Sequence, residues 1–546
     1  MNKLKLIYSL LLPEELNKGL WVGGATFIIA ILDFIGLAAL LPILYYLLEE
    51  DKSKAALWFC LLAIGVISLK NIAITLLSRY QHRYLLSLYK RISLSLYTAY
   101  YQKGLLFIRE QGVNRLGYEV NFTCYSFSMN MLASLLRITG DGLLIGLVLG
   151  TLLIYDWSTA LILIVSFVPF MLLYFISIRK RVREYGKKEL EIKRKQSRII
   201  TETFAGYADL EVNNAFYARK RSFRQGLENI ANYRLEMETL LRMPLFLSEL
   251  SVIVGLTLLT TLGTGNIKTL VGIFAVAAFR LLPALKDILS RWTLIQNTMS
   301  SLQVIEEGLK NSNPSIDTTK ELLFERKILF QDVTYTYENG EQVLRSFNCC
   351  IHKGEYIGFS GYSGVGKSTL FNLLLGFIEP QQGELWIDET PLNSSVQTAW
   401  LKKIGYVQQD VFIFQGSLAE NIALGVKDIN KDKLECVLKQ ACLFDWVASL
   451  PQGVDTLLGE YGGRLSGGQK QRIGIARALY KEAEIILLDE ATSALDNETE
   501  KEINDTLNQL RQHCKELTIL SIAHRESSLA YCDRVIKIEN FSQKGN

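Results

Sequence analysis

Leu465-Ser466-Gly467-Gly468-Gln469 and, about twenty residues further on, Ile485-Ile486-Leu487-Leu488-Asp489-Glu490 decide the fold of the C-terminal half. The first run is a glycine-backed serine that can offer backbone N–H groups and a hydroxyl to a phosphate. The second is an apolar strand that delivers two carboxylates to its C-terminal edge. Upstream lies Gly361-Tyr362-Ser363-Gly364-Val365-Gly366-Lys367-Ser368-Thr369, which matches the phosphate-loop pattern GxxxxGK[ST]. Tyr356-Ile357-Gly358-Phe359-Ser360 before it reads as a short buried strand, so strand, glycine turn and helix follow in the order the pattern requires. Gly361, Gly364 and Gly366 let the backbone turn its N–H groups inward around β- and γ-phosphates, and the next helix presents its positive end to the same anion. Lys367 supplies a point charge and Ser368 a hydroxyl ligand for Mg²⁺.

A chain of 546 residues exceeds one compact core, so at least two domains are expected. Hydrophobic residues make up 49%, and mean hydropathy is +0.17. The excess concentrates before about residue 300, in six apolar segments: 20–40, 55–77, 132–154, 159–178, 245–262 and 270–289. At a rise of about 1.5 Å per residue, each can cross a hydrocarbon core of roughly 30 Å. Asp156-Trp157 separates the third from the fourth, and Gly263-Thr264-Gly265-Asn266-Ile267 the fifth from the sixth, which predicts two short hairpins on one face. The other connections are long and basic. Arg79, Arg83, Lys90, Arg91, Lys103, Arg109 and Arg115 follow the second segment, and Arg179-Lys180-Arg181-Val182-Arg183 follows the fourth. Basic residues beyond span ends favour the cytoplasmic side, which places both long loops and both termini there. Their periodic, charged sequence predicts spans continuing as helices into the cytosol, with most charges on solvated faces.

A net charge of +4 is too small to argue for a nucleic-acid partner. The eight cysteines (Cys60, Cys124, Cys349, Cys350, Cys436, Cys442, Cys514 and Cys532) form no CxxC pair and read as free thiols. Lys3 and Lys5 precede a short apolar run broken by Pro13-Glu14-Glu15, which predicts an amphipathic lead-in to the first span rather than a signal peptide. Around Asn311-Ser312-Asn313-Pro314-Ser315 the composition turns polar, and a boundary is placed at 318/319. Beyond it, strand-like runs at 327–333, 356–360, 484–489 and 518–522 alternate with helical ones, the pattern of an α/β domain.

The three motifs together resemble the ATPase domain of an ABC transporter. Six spans, two long cytoplasmic loops and an ATPase domain on one chain resemble an ABC exporter half-transporter: an all-α membrane domain (1–318) followed by an α/β P-loop ATPase domain (319–546). The resemblance implies ATP and Mg²⁺ as cofactors, with Asp489 on the metal and Glu490 polarising the attacking water; the plainer alternative for adjacent acids is a solvated strand end. It further implies that Gln409, in Tyr406-Val407-Gln408-Gln409-Asp410, senses Mg²⁺ and γ-phosphate, although Gln408 competes for that place. His524 corresponds to the switch histidine and Tyr337 to the aromatic that stacks on adenine. Ser363 and Thr369 belong to the phosphate-binding loop, and Asp496 to the D-loop that follows Glu490. Ser466, Gly468 and Gln469 would cap the γ-phosphate held by a second copy, which implies a homodimer or pairing with a related half-transporter. Gly459 to Gly463 resembles the exporters' cross-linking loop. Coupling helices are expected near 111–118 and 207–216.

Charges inside the spans are few. Asp33, Lys70 and Arg280 each cost about 2.5–3.5 kcal/mol near the bilayer centre, so each must face a cavity or a partner. Two readings stand side by side: a structural ion pair such as Asp33 with Arg280, or Lys70 and Arg280 meeting an anionic headgroup. The stretch from Phe274 to Pro283 is similar to flippases of lipid-linked oligosaccharides. The expected activity is therefore ATP-driven movement of an amphipathic, anionic lipid-linked substrate across a bacterial inner membrane. Export of drugs or peptides, or a regulator or channel role, are the alternatives.

Overall fold

The computed structural model describes residues 7–39, 54–262, 267–310, 322–337, 340–362, 364–459, 462–463, 465–491, 496–513, 516–523 and 529–538. The chain divides into two compact units, Met1–Asn313 and Pro314–Asn546. The expected boundary at 318/319 and the expected turn at 263–266 lie outside the described residues.

The first unit is helical: α1 Pro13–Ala38, α2 Lys54–Gln102, α3 Gly104–Gln111, α4 Val113–Tyr155, α5 Trp157–Ala205, α6 Tyr207–Val212, α7 Phe216–Leu262 and α8 Ile267–Leu309. Helix ends follow local chemistry. Proline opens α1 and the Glu15 carboxylate accepts from the Leu12 N–H at 3.0 Å. Asp156 caps α5 by accepting from the Ser158 N–H, which makes the α4–α5 hairpin as short as its sequence implies. The spans do run on as helices. With 49 residues, α2 is roughly 70 Å long, more than twice a hydrocarbon core. In α4, π-helical turns occupy Glu119–Thr123 and Ser126–Leu132. Glu119, buried there, accepts from Tyr100 Oη (2.6 Å), Arg115 Nε (2.9 Å) and Arg194 Nη2 (2.9 Å), tying α2 and α5 to α4.

Among the described residues, four helical stretches are long and apolar enough to cross a membrane: Pro13–Ala38, Leu57–Gln102, Val113–Tyr155 and Trp157–Tyr174. The remaining two long helices are less uniform than the six-segment reading assumes. The apolar stretch of α7 is the shorter Glu249–Thr261, and α8 carries Arg280, Lys286 and Asp287. Along α2, Trp58, Leu61, Leu62, Leu69, Ile72 and Leu76 all face outward. A contiguous apolar face of that extent belongs against lipid or another chain, not water.

Among its described residues the second unit holds two sheets. One is antiparallel, in the order β2 (Gln342–His352), β1 (Lys327–Thr336), β4 (Gln382–Ile387), β5 (Thr390–Pro391). The other is parallel, in the order β6 (Ile404–Val407), β7 (Ile485–Asp489), β8 (Thr518–Ile522), β3 (Tyr356–Ser360), β9 (Arg534–Lys537). Strands β7 and β8 are buried at every position and β3 at all but its last, as expected for near-continuous apolar runs covered on both faces. Trp400 anchors the packing, with its Nε1–H donated to the Leu374 carbonyl at 2.7 Å and its ring edge-on to Phe324. The seven described cysteines are free; burial pushes Cys349 up to about 11 and Cys532 up to about 12, so both stay protonated thiols near neutral pH.

Candidate functional site

Parallel strands collect their C-terminal ends at one edge, which is where open α/β sheets bind ligands. The phosphate loop leaves β3 at that edge and enters α9 (Lys367–Leu374). Gly366 caps α9 in the left-handed region at φ 102°, where a Cβ would run into the Val343 side chain. A Cβ on Gly361 would sit 2.7 Å from the Ile538 carbonyl oxygen. Gly364, also left-handed at φ 82°, faces open space. Two of the three glycines are thus demanded by close approach as well as by conformation. Lys367 is buried and folds back onto the loop, donating to the carbonyls of Gly361 (2.8 Å) and Tyr362 (3.1 Å). Burial lowers its pKa, with Glu490 and Asp489 acting in the opposite direction.

Two strands away, β7 ends in Asp489. Its carboxylate accepts from Tyr406 Oη at 3.1 Å and Ser368 Oγ at 3.5 Å, and burial raises its pKa despite both bonds. Glu490 follows at φ 50°, a backbone conformation uncommon for a non-glycine residue and concentrated at functional sites. Its Oε2 accepts from Gln409 Nε2 at 2.9 Å. It is therefore Gln409, not Gln408, that reaches the acidic pair. Lys367, Ser368, Gln409, Asp489 and Glu490 form one cluster linked by these contacts. The hydroxyl of Ser368, the carboxylate of Asp489 and the amide oxygen of Gln409 are hard oxygen donors of the kind Mg²⁺ takes, so the residues present fit that ion.

Other expected site residues occupy different surroundings. Tyr337 is half-buried, with its hydroxyl 2.9 Å from Thr369 Oγ1 and its ring edge-on to Tyr335. Ser466 caps α10 (Gly467–Tyr480) in a reciprocal box: its Oγ accepts from the Gln469 N–H, and Gln469 Oε1 accepts from the Ser466 N–H at 2.9 Å. Ser466 and Gly467 are exposed and Gly468 half-exposed. Asp496 is exposed and accepts from the Thr499 N–H at 3.1 Å, bonding that lowers its pKa. His524 and Ser363 lie outside the described residues, as do Glu460 and Tyr461 of the cross-linking loop and 492–495 after the acidic pair.

The sequence pattern of the ABC transporter family matches residues 344–493. The chain is 31% identical over 524 residues to the ATP-dependent lipid A-core flippase of Burkholderia orbicola (strain AU 1054), covering 92% of this chain and 86% of that protein. This chain belongs to the ABC transporters. A lipid A-core flippase of Saccharophagus degradans is 39% identical over 249 residues, 45% of this chain and 42% of its own length. In fold, the chain matches a bacterial Atm1-family ABC exporter with ATP bound at a TM-score of 0.79, 21% identity, and coverage of 94% and 92%. This ABC transporter is an ATP-hydrolysing exporter half-transporter and a membrane protein.

The transporter's charged residues at membrane depth are not isolated. Asp33 on α1 receives Lys70 Nζ of α2 at 3.1 Å and Arg280 Nη2 of α8 at 2.6 Å. The anticipated Asp33–Arg280 pair is present, and Lys70 joins it. Gly36 makes room for this: a Cβ there would come 2.8 Å from Lys70 Cδ. Both cations share the one carboxylate of Asp33, so the trio as a whole keeps one net positive charge.

Sequence reasoning missed one residue that touches the acidic pair and one that braces the signature helix. Tyr406 holds Asp489 because β6 lies beside β7 with Tyr406 opposite Leu487; only the pairing of the strands reveals it. Arg477, on α10, donates to the Phe412 and Asn421 carbonyls at 2.7 and 2.6 Å, joining the signature helix to the segment that follows Gln409. Burial pushes its pKa down to about 10.

Proposed function

We propose that this exporter is a lipid flippase, moving an amphipathic, anionic lipid-linked substrate across a bacterial inner membrane as a homodimer with its ATPase domains in the cytoplasm. The observation that carries this reading is the Lys70–Asp33–Arg280 trio, which keeps a net cation among three membrane-facing helices where an apolar cargo would need none. The names of the relatives, lipid A-core flippases, point to the same kind of cargo.

Two chains would enclose two ATP molecules. In each site the phosphate-loop N–H groups and Lys367 of one chain hold the phosphates, and Ser466 and Gly468 of the other close over the γ-phosphate. Glu490 takes the proton of the water that attacks the γ-phosphorus, with Gln409 holding its carboxylate in place. Mg²⁺ bound at Ser368, Asp489 and Gln409 would neutralise phosphate charge. Tyr337 would lie against the adenine, Asp496 would line the approach to the partner chain, and His524 would contact the γ-phosphate. Closure around ATP favours one membrane-facing arrangement and hydrolysis returns the other, so the ligand's differential affinity drives the cycle.

The test is transbilayer movement of a fluorescent anionic lipid in proteoliposomes. Movement should require Mg²⁺-ATP and vanish with Glu490→Gln. Movement of apolar drugs in place of lipid would reject the cargo assignment, and persistent ATP turnover in Glu490→Gln would reject the catalytic one.

A further inference from the structure

A polar cavity of about 140 Å³ lies among α1, α2, α4 and α8, with Asp33, Gln81, His82, Arg137, Asp141 and Arg291 in its lining. It is framed by close packing. A Cβ on Gly140 would sit 3.1 Å from the Thr26 methyl, so glycine lets α4 approach α1, and Gln81 Nε2 donates to Thr26 Oγ1 at 2.8 Å. Asp33 is compensated by Lys70 and Arg280. Among the described residues, Arg137, Asp141 and Arg291 close no ion pair and make no hydrogen bond, although Arg137 and Arg280 lie near enough to act on the Asp141 carboxylate. One Asp141 carboxylate oxygen is buried with no partner.

Arg137 and Asp141 stand four residues apart on α4, the spacing at which a helical ion pair ordinarily closes. Pairs with that spacing and that order, base first, do close elsewhere in this unit, Arg115 with Glu119 at 2.9 Å and Arg198 with Glu202 at 2.6 Å. Leaving the pair open costs free energy that a ligand presenting both signs would recover. A simple anion would satisfy Arg137 and Arg291 but set its charge beside Asp141. A simple cation would meet two guanidinium groups. Neither satisfies the whole lining.

We propose that this cavity receives the zwitterionic part of a lipid headgroup, with a phosphate against Arg137 and Arg291 and a primary ammonium donating to Asp141. The proposal rests on the flippase reading above and narrows it: the cargo carries an amine as well as an anion. The volume suits a group of phosphoethanolamine size, the equivalent of several water molecules, rather than a whole oligosaccharide.

The experiment measures ATP hydrolysis by the full-length transporter in non-ionic detergent micelles doped with phosphatidylethanolamine or with phosphatidylglycerol. Phosphatidylethanolamine should stimulate at about tenfold lower concentration, the scale expected for a hydrogen bond between charged groups. Asp141→Asn should erase that preference, since it removes the ammonium's acceptor, while phosphatidylglycerol, freed of the carboxylate beside its phosphate, should stimulate at least as well as before. Equal or better stimulation by phosphatidylglycerol in the wild type overturns the zwitterion proposal and leaves the flippase reading standing; this comparison needs no variant to fold. A preference that survives Asp141→Asn overturns the assignment to Asp141. Stimulation by neither lipid overturns both the proposal and the flippase reading.

Discussion

Replacing Asp33 with asparagine isolates the energetics of the membrane half. The substitution keeps the shape and removes the only carboxylate that, among the described residues, is bonded to Lys70 and Arg280, at 3.1 and 2.6 Å. Side-chain exposures of 19% for Asp33, 15% for Lys70 and 32% for Arg280 make this a largely but not fully buried trio. Breaking a buried pair by removing one partner costs about 3–5 kcal/mol, mostly for the charge left behind. Two cations are left here, but both have partial access to solvent, so the lower end of that range, about 3 kcal/mol, is expected. The assay is reversible unfolding of the detergent-solubilised transporter in denaturant, with Arg280→Gln and the double variant completing a cycle. Because Asp33→Asn and Arg280→Gln remove the same contact, their effects should fall short of additivity by about 1–3 kcal/mol. Asp33→Asn unfolding together with the wild type, or costs that simply add, would show that the trio is not energetically coupled and refute the reasoning.

Gly366→Ala combines a left-handed φ of 102° with a collision against Val343, so it should abolish ATP binding measured by fluorescent-nucleotide titration while leaving a folded chain. Tyr337→Phe removes the hydroxyl 2.9 Å from Thr369 and keeps the ring; losing one such bond should raise the KM for ATP about threefold with kcat unchanged. Burial raises the Asp489 pKa in the folded state, so the folded chain binds that proton more tightly than the unfolded chain. Nucleotide-free stability should therefore fall as pH climbs from the ordinary carboxylate value through the raised one, and Asp489→Asn should remove that part of the decline in calorimetric scans.

The phosphate loop was legible because its chemistry is local: strand, glycines, lysine and hydroxyl follow one another, and each conformation depends on near neighbours such as Val343. The acidic pair was legible for the same reason, as an apolar run that ends in two carboxylates. What could not be read is whatever depends on neighbouring elements. Gln408 and Gln409 are equivalent in sequence, and only the turn after β6 decides which side chain faces Glu490. Asp33, Lys70 and Arg280 are costly singly, yet that they meet in one cluster follows from how α1, α2 and α8 pack. The open Arg137–Asp141 pair gave no signal at all, since the sequence spacing alone predicts a closed one.

The signature turn supplies the remaining argument about assembly. A serine N-cap normally spends its oxygen on the helix it starts, and Ser466 does so through Gln469. That bond uses the hydroxyl as an acceptor and leaves its proton free to be donated outward. The N–H groups of Gly467 and Gly468 fall at the first turn of α10, where a 14-residue helix has no internal partner for them. A donor set of this kind, fixed by a reciprocal box and facing solvent, is arranged for an anion that its own turn does not provide. Its own chain's phosphate loop is already folded back on Lys367, with no described bond to Ser466. In the proposed assembly the anion comes from the second chain. Ser466→Ala should then cost hydrolysis far more than it costs helix stability: the cap is worth about 1 kcal/mol, whereas losing a donor to transition-state charge costs about 2.7–4 kcal/mol in the barrier. Steady-state hydrolysis and thermal unfolding, measured on the same sample, separate the two, and losses of equal size would count against a second chain at this turn.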